Sequence, residues 1–178
     1  SLTHIATQTA SSSASISFTS GIDSTYKEYI FYFVNIHPAS DSVSFDFNLS
    51  VDNGSNYNVT KTSTSFRAYV YEDGSSGTLQ YEENHDLAQS TNAERLCAVD
   101  LGNDNDQCFS GSLHLFNPSS TTFVKHYIAR ANHNHDANLT VNFYKAGYGN
   151  TTSAVDAIQF SMSSGNIDSG QILLFGLN

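Results

Sequence analysis

The chain has no tryptophan, one methionine, two cysteines and only seven lysines and arginines in 178 residues. Those seven cations face seventeen carboxylates, for a formal charge of −10. No Lys/Arg cluster occurs, which argues against a nucleic-acid partner, because phosphate recognition requires grouped basic side chains. No apolar run approaches the roughly eighteen residues of a membrane-crossing helix, and no charged, apolar, small-residue leader is present. The start, Ser1-Leu2-Thr3, fits removal of an initiator methionine and equally a mature form cut from a leader. The Gly-x-Ser-x-Gly elbow and the phosphate-binding glycine loop are missing too. Glu82, Glu83, Asp86 and His85 cluster in the sequence. Clustering of that kind is poor evidence for a catalytic site. The expectation is a protein that is not an enzyme and takes no cofactor.

Ser, Thr and Asn together make up about a third of the chain, a composition that favours strands and turns over helices. Period-2 segments recur at short intervals: Ser15–Phe18, Glu28–Ile36 and Val43–Val51, the last with Val43, Phe45, Phe47, Leu49 and Val51 inward. Further strands are predicted at Phe66–Tyr71, Leu96–Leu101, Gly111–Phe116, Thr122–Ala131 and Asn138–Tyr144. Turn chemistry separates them at Asp52–Ser55, Glu72–Gly77, Asn117–Ser120 and Gly147–Asn150, while Leu79–Ala93 reads as a long loop or a short helix. Many short strands without helices describe one all-β domain over 1–178, as a sandwich, jelly roll or barrel.

The end of the chain carries the strongest signal. Ala157–Ser163 alternates, and Gln171–Leu177 is apolar on both faces, so both of its sides need cover. The order Ile16-Ser17-Phe18, Gly21–Tyr29, Ile36-His37-Pro38-Ala39, Leu49–Gly54, Ile158-Gln159-Phe160 and Ser164–Gly176 resembles small β-sandwich virion structural domains of tailed, especially marine, bacteriophages. Such domains occur in capsid cement or decoration proteins and in tail fibres; residues 55–150 carry none of the resemblance. The resemblance implies a jelly-roll-like antiparallel sandwich that forms a homotrimer, binds the major capsid protein and stabilises the outer capsid surface of the virion. Tyr26, Tyr29, Phe31, Phe33 and, on the closing strand, Ile172, Leu174, Phe175 and Leu177 are then the candidates for core or subunit packing. Residues 1–12 are expected to be an extended N-terminal arm, with Leu2 and Ile5 as its capsid-contact anchors. The alternative is a carbohydrate- or receptor-binding domain of a tail fibre or secreted protein, with a host surface glycan stacked on a tyrosine-rich loop at Tyr144–Tyr148. The lack of tryptophan weakens that alternative.

Three polar features remain. Cys97 and Cys108 lie eleven apart and fit either a disulfide closing the Asp100–Asp106 loop or two reduced thiols on neighbouring strands. His133-Asn134-His135-Asp136 would put two histidines on one face of a strand, where they could hold a metal with a carboxylate. The flanking Asn132 and Asn138 favour a polar loop instead. Asp100, Asn103, Asp104 and Asp106 form an oxygen-rich loop suited to calcium, but lack EF-hand spacing, and a solvated turn is the favoured reading.

Overall fold

The computed structural model describes residues 1–178 and contains twelve strands and one short 3-10 turn, Glu83–His85. The strands are β1 (Thr3–Thr9), β2 (Ile16–Phe18), β3 (Glu28–Pro38), β4 (Phe45–Ser50), β5 (Lys61–Tyr71) and β6 (Gly77–Tyr81). They continue with β7 (Glu94–Arg95), β8 (Phe109–Phe116), β9 (Lys125–His135), β10 (Leu139–Gly149), β11 (Ala157–Met162) and β12 (Ile167–Leu177). All named pairings are antiparallel and fall into two sheets, β1-β12-β3-β8-β9-β10-β5-β6 and β2-β11-β4-β7. Setting aside the hairpins β5–β6 and β9–β10 leaves eight strands. Their order is first-eighth-third-sixth in one sheet and second-seventh-fourth-fifth in the other, the winding of a jelly roll. The two hairpins add four strands to one sheet only.

Alternation drives the core. Phe31 and Phe33 on β3, Phe45 and Phe47 on β4, Phe109 on β8 and Phe160 on β11 point between the sheets and are buried. Phe160 is the hub, with ring centroids 5.4 Å from Phe31, 5.2 Å from Phe33 and 5.8 Å from Phe45. The edge-on geometry of Phe33–Phe160, and of Phe33–Phe45, Phe33–Phe109 and Phe45–Phe109 beside it, suits the aromatic quadrupole and adds to simple area burial. Tyr29 is buried as well, and its hydroxyl donates to the Asp23 carbonyl at 3.0 Å.

The closing strand is paired along both edges and covered on its inner face from within the chain, while its outer face, expected to be covered as well, stays half-exposed. β12 lies between β1 and β3, with Ile172 and Leu174 buried in the core and Phe175 and Leu177 half-buried on the outer side. The Tyr26 ring lies against Gly176, where any Cβ would collide with it. Packing candidates Tyr29, Phe31, Phe33, Ile172 and Leu174 are therefore intramolecular core. The expected N-terminal arm is corrected too. Thr3–Thr9 pairs with β12 as the outer strand, and Ile5 packs on the core, because the edge of β12 offers unpaired backbone groups to the nearest extended segment. Leu2, just outside the strand, is exposed.

Other boundaries also differ from the sequence reading. Leu96–Leu101 is not a strand: β7 is two residues long, and Leu101 makes only isolated bridges. The stretch predicted as loop from Leu79 begins inside β6. Gly147 and Gly149 lie within β10, where the hydroxyl of Tyr127 and the carbonyl of Thr62 leave no room for a side chain at Gly147. Cys97 and Cys108 are both free thiols, which removes the disulfide. Cys97 is buried and accepts from the Phe45 amide at 3.3 Å.

Phe160→Ala is expected to lower the unfolding free energy by about 3–5 kcal/mol, the range for emptying a buried aromatic site. Urea denaturation checks this; a loss under about 1 kcal/mol would show that Phe160 is not the hub.

Candidate functional site

The small sheet stops at β7, while the wide sheet continues through β10, β5 and β6. The inner face of those extra strands meets the segment running from Glu82 to Arg95, which is irregular apart from the Glu83–His85 turn and ends in β7. Leu139, Val141 and Phe143 on β10 are buried there, Phe143 edge-on to His85, and charged contacts are added to them. Lys145 on β10 meets Glu94 at 2.9 Å, both fully buried, and Tyr127 donates its hydroxyl to the same carboxylate at 2.5 Å. Lys145 also donates to the His85 carbonyl at 2.5 Å. Arg67 on β5 bridges Glu82 at 2.8 Å and Asp100 at 2.5 Å. Lys61 donates to Asn48 at 2.5 Å and to the Val59 carbonyl at 2.8 Å, and Lys125 to the carbonyls of Phe123 and Thr151.

This layer relocates the histidine and acidic motifs. His133 and His135 lie on β9, a strand and not a loop, and both turn inward to Asp100, at 2.7 and 3.5 Å. Asp100 is itself buried, against the reading of a solvated turn, whereas Asp104 and Asp106 are exposed. The Arg67 guanidinium takes the position beside Asp100 that a bound cation would occupy, and no group of three or more His, Cys, Asp or Glu is placed to hold a metal ion. Burial opposes ionisation of Asp100, but the His133 hydrogen bond and the neighbouring positive charges prevail and hold its pKa below the ordinary value. Burial pushes the Lys61 ammonium down to about 8 and raises the Tyr127 hydroxyl, the Glu94 charge adding to the latter.

Of the clustered acids near His85, Glu82 pairs with His85 at 2.6 Å, and Asp86 accepts from Ser65 at 2.8 Å. A polar cleft of about 440 Å³ beside β7 is lined by Asp46, His85, Asp86 and Arg95 among others. Burial raises the Asp46 carboxyl to about 6, although the Ser44 hydroxyl and the Arg95 charge act the other way.

The outer face of the wide sheet has nothing packed on it. Its register aligns side chains in rows that cross many strands. One row runs Thr7, Leu173, Tyr32, Ser112, Arg130, Tyr144, Phe66, Tyr81, across all eight. The next runs His4, Phe175, Ile30, His114, Ile128, Ala146, Thr64, and a third Ser110, Asn132, Asn142, Ala68, Leu79. No carboxylate stands in any of the three rows, in a chain with seventeen. Glu28, the nearest one on β3, is paired with His114 at 2.6 Å. Apolar exposure concentrates toward one end of the face: Leu79 is 69% exposed, Tyr81 61% and Phe66 45%. Phe66 stacks on Tyr144 of the adjacent strand at 4.7 Å, the two rings nearly parallel.

The sequence reading missed this face. Tyr144 and Tyr148 lie on a strand and not in a sugar-binding loop. Residues 125–135 and 139–149, which build much of the face, alternate as plainly as the core strands do, whereas 61–71 does not. That alternation was the available signal. Nothing in it tells which side meets solvent.

No protein-family model matches the chain, and no curated protein does. Among solved structures, the chain is similar to a Bacteroides ovatus protein of unknown function, at 8% identity over 60% of this chain and 45% of that one. The TM-score is 0.31, too low to carry an argument, and the chain spans under half the length of that protein.

Asp46 supplies a pH test. Its folded pKa of about 6 lies above the 3.8 of the free side chain. Between those values the native Asp46 binds more protons, so the contribution of this group is full below pH 3.8 and falls as pH rises through about 6. The loss corresponds to about 3 kcal/mol. Asp46→Asn is expected to abolish this fall and to exceed the parent in stability at neutral pH by an amount of that order. Parallel urea titrations under acidic and neutral conditions check it; identical pH profiles for the two proteins would refute the assignment.

Proposed function

We propose that the protein acts by assembly: a virion structural subunit that associates with copies of itself, as a trimer, and decorates the outer surface of a capsid. The observation that carries this reading is the set of three outer-face rows without a carboxylate, with exposed Phe66, Val70, Leu79 and Tyr81 at the β5–β6 end. Copies that each carry a formal charge of −10 repel one another, and the repulsion costs least where no carboxylates meet. The same end supplies aromatic and aliphatic area for a partner to dehydrate, and such exposed patches mark interaction sites. β6 is also an outer strand of the sheet, with one edge free to pair with a second chain.

The capsid half of the proposal rests on the resemblance of the chain's two ends to phage decoration domains and on the jelly-roll winding, which capsid and lectin domains share. The mechanism is mass action: a protein that binds only the assembled lattice of the major capsid protein stabilises that lattice by its own binding free energy. The buried ion pairs fit a scaffold role, because their side chains are occupied with one another and not presented to a substrate.

Light scattering on purified protein is expected to give three times the monomer mass. Leu79→Glu combined with Tyr81→Glu is expected to return it to a monomer with an unchanged circular dichroism spectrum. A monomeric parent protein at high concentration would overturn the self-association. Capsids stripped of the protein are expected to withstand less heating and to recover when it is added back. Equal heat resistance with and without it would overturn the capsid role.

A further inference from the structure

We infer that a groove along β8, on the same outer face, is a binding site for a sugar ring that carries a carboxylate. This site is separate from the β5–β6 end assigned to self-association and does not depend on that assignment. The groove arises from side-chain size. β8 presents only Ser110 and Ser112 outward here, while β3 on one side presents Tyr32 and β9 on the other presents Arg130 and Asn132. Tyr32 and Arg130 face each other across Ser112, two strands apart, which is about 10 Å between backbones. The hollow has a volume of about 620 Å³, within the span of small-ligand sites.

Each wall has a distinct chemistry. Tyr32 is 36% exposed, and its ring is held edge-on to Phe175 at 5.6 Å, so a flat face is available at low entropic cost. Arg130 makes no ion pair. Its guanidinium lies over the Tyr144 ring at 5.2 Å, and its Nε donates to the Asn142 side-chain oxygen at 3.3 Å. That holds the fork in place and leaves its terminal N–H groups free for a planar carboxylate, the partner that an arginine fork fits best. Both Asn132 Nδ2 hydrogens are engaged, at the Thr140 hydroxyl and the Val141 carbonyl, so its Oδ1 is turned out as an acceptor. The Ser110 oxygen accepts from the Asn35 amide at 3.0 Å, which leaves its O–H to donate. An aromatic platform, one acceptor, one donor and a fixed cation match a pyranose ring with hydroxyls and one acid group. The cation stands on a carboxylate-free stretch of an acidic protein, so an anionic ligand meets its most favourable potential here.

The test is titration calorimetry with trigalacturonate, with a neutral galactose trisaccharide and sodium acetate as controls. Trigalacturonate is expected to bind, more weakly as salt is raised. The neutral trisaccharide and acetate are expected to bind at least tenfold more weakly. Arg130→Gln is expected to lose tenfold or more in affinity for trigalacturonate, and Tyr32→Ala a comparable factor, both with unchanged stability because the side chains are on the surface. No binding of trigalacturonate, equal binding of the neutral sugar, equal binding of acetate, or an Arg130→Gln variant that binds as the parent does would each overturn the assignment. A monomeric protein that still binds trigalacturonate would sink the self-association and leave the groove standing.

Discussion

The structure depends on one mismatch: eight strands face four. A jelly roll buries two apolar faces against each other, and it does so here from β1 to β8, where Phe160 and Phe45 fill the space over Phe33 and Phe109. Beyond β7 there is no second sheet. The extra strands are faced by the Glu82–Arg95 segment instead, and Lys145, Arg67 and Lys61 join Phe143 and Val141 on their inner face. Burying an ion costs several kcal/mol unless its partners are well placed. The carboxylates of Glu82, Glu94 and Asp100 supply those partners, and the Tyr127 hydroxyl and backbone carbonyls supply the rest. An apolar loop could stick to the sheet in many registers, whereas Glu94 opposite Lys145 admits one.

The same mismatch shapes the exterior. Four of the seven cationic side chains, Lys61, Arg67, Lys125 and Lys145, are spent inside the extended region, which leaves a surface dominated by carboxylates. Extending one sheet by two hairpins also doubles the width of its uncovered side. That side is broad, low in charge and ordered in rows, so a groove and an apolar end coexist on it. In the outer central row of side chains, serine at position 112 between Tyr32 and Arg130 makes a hollow, while Phe66 and Tyr81 at the far end make a raised apolar edge.

Much of the fold was legible in the residues. Alternation located nine of the twelve strands at least in part, because a half-buried strand must place apolar side chains at every second position, but not β1, β6 or β7. The errors have physical causes. Leu96, Cys97, Ala98 and Leu101 are apolar because they are buried, not because the segment pairs along its length. Gly147 and Gly149 look like turn residues, yet they sit in a strand because Tyr127 and Val59 approach the backbone there. His133 and His135 looked like loop residues between asparagines. A histidine directed at a buried carboxylate is as well placed on a strand as a hydrophobe, and its partner, Asp100, lies thirty-three positions away.

By itself the sequence determined the class of the protein: all-β, acidic, without a basic surface, and closed by an apolar strand. These follow from composition and local period, which act between near neighbours. Only the tertiary structure decided that β1 and β3 pair with that strand, that the core and the Tyr26 ring cover its inner face alone, and which side of the hairpin strands faces water. Cover is a relation between segments far apart in the chain. The pairing of Thr3–Thr9 with the last strand and of Glu94 with Lys145 joins residues whose local patterns carry no trace of each other.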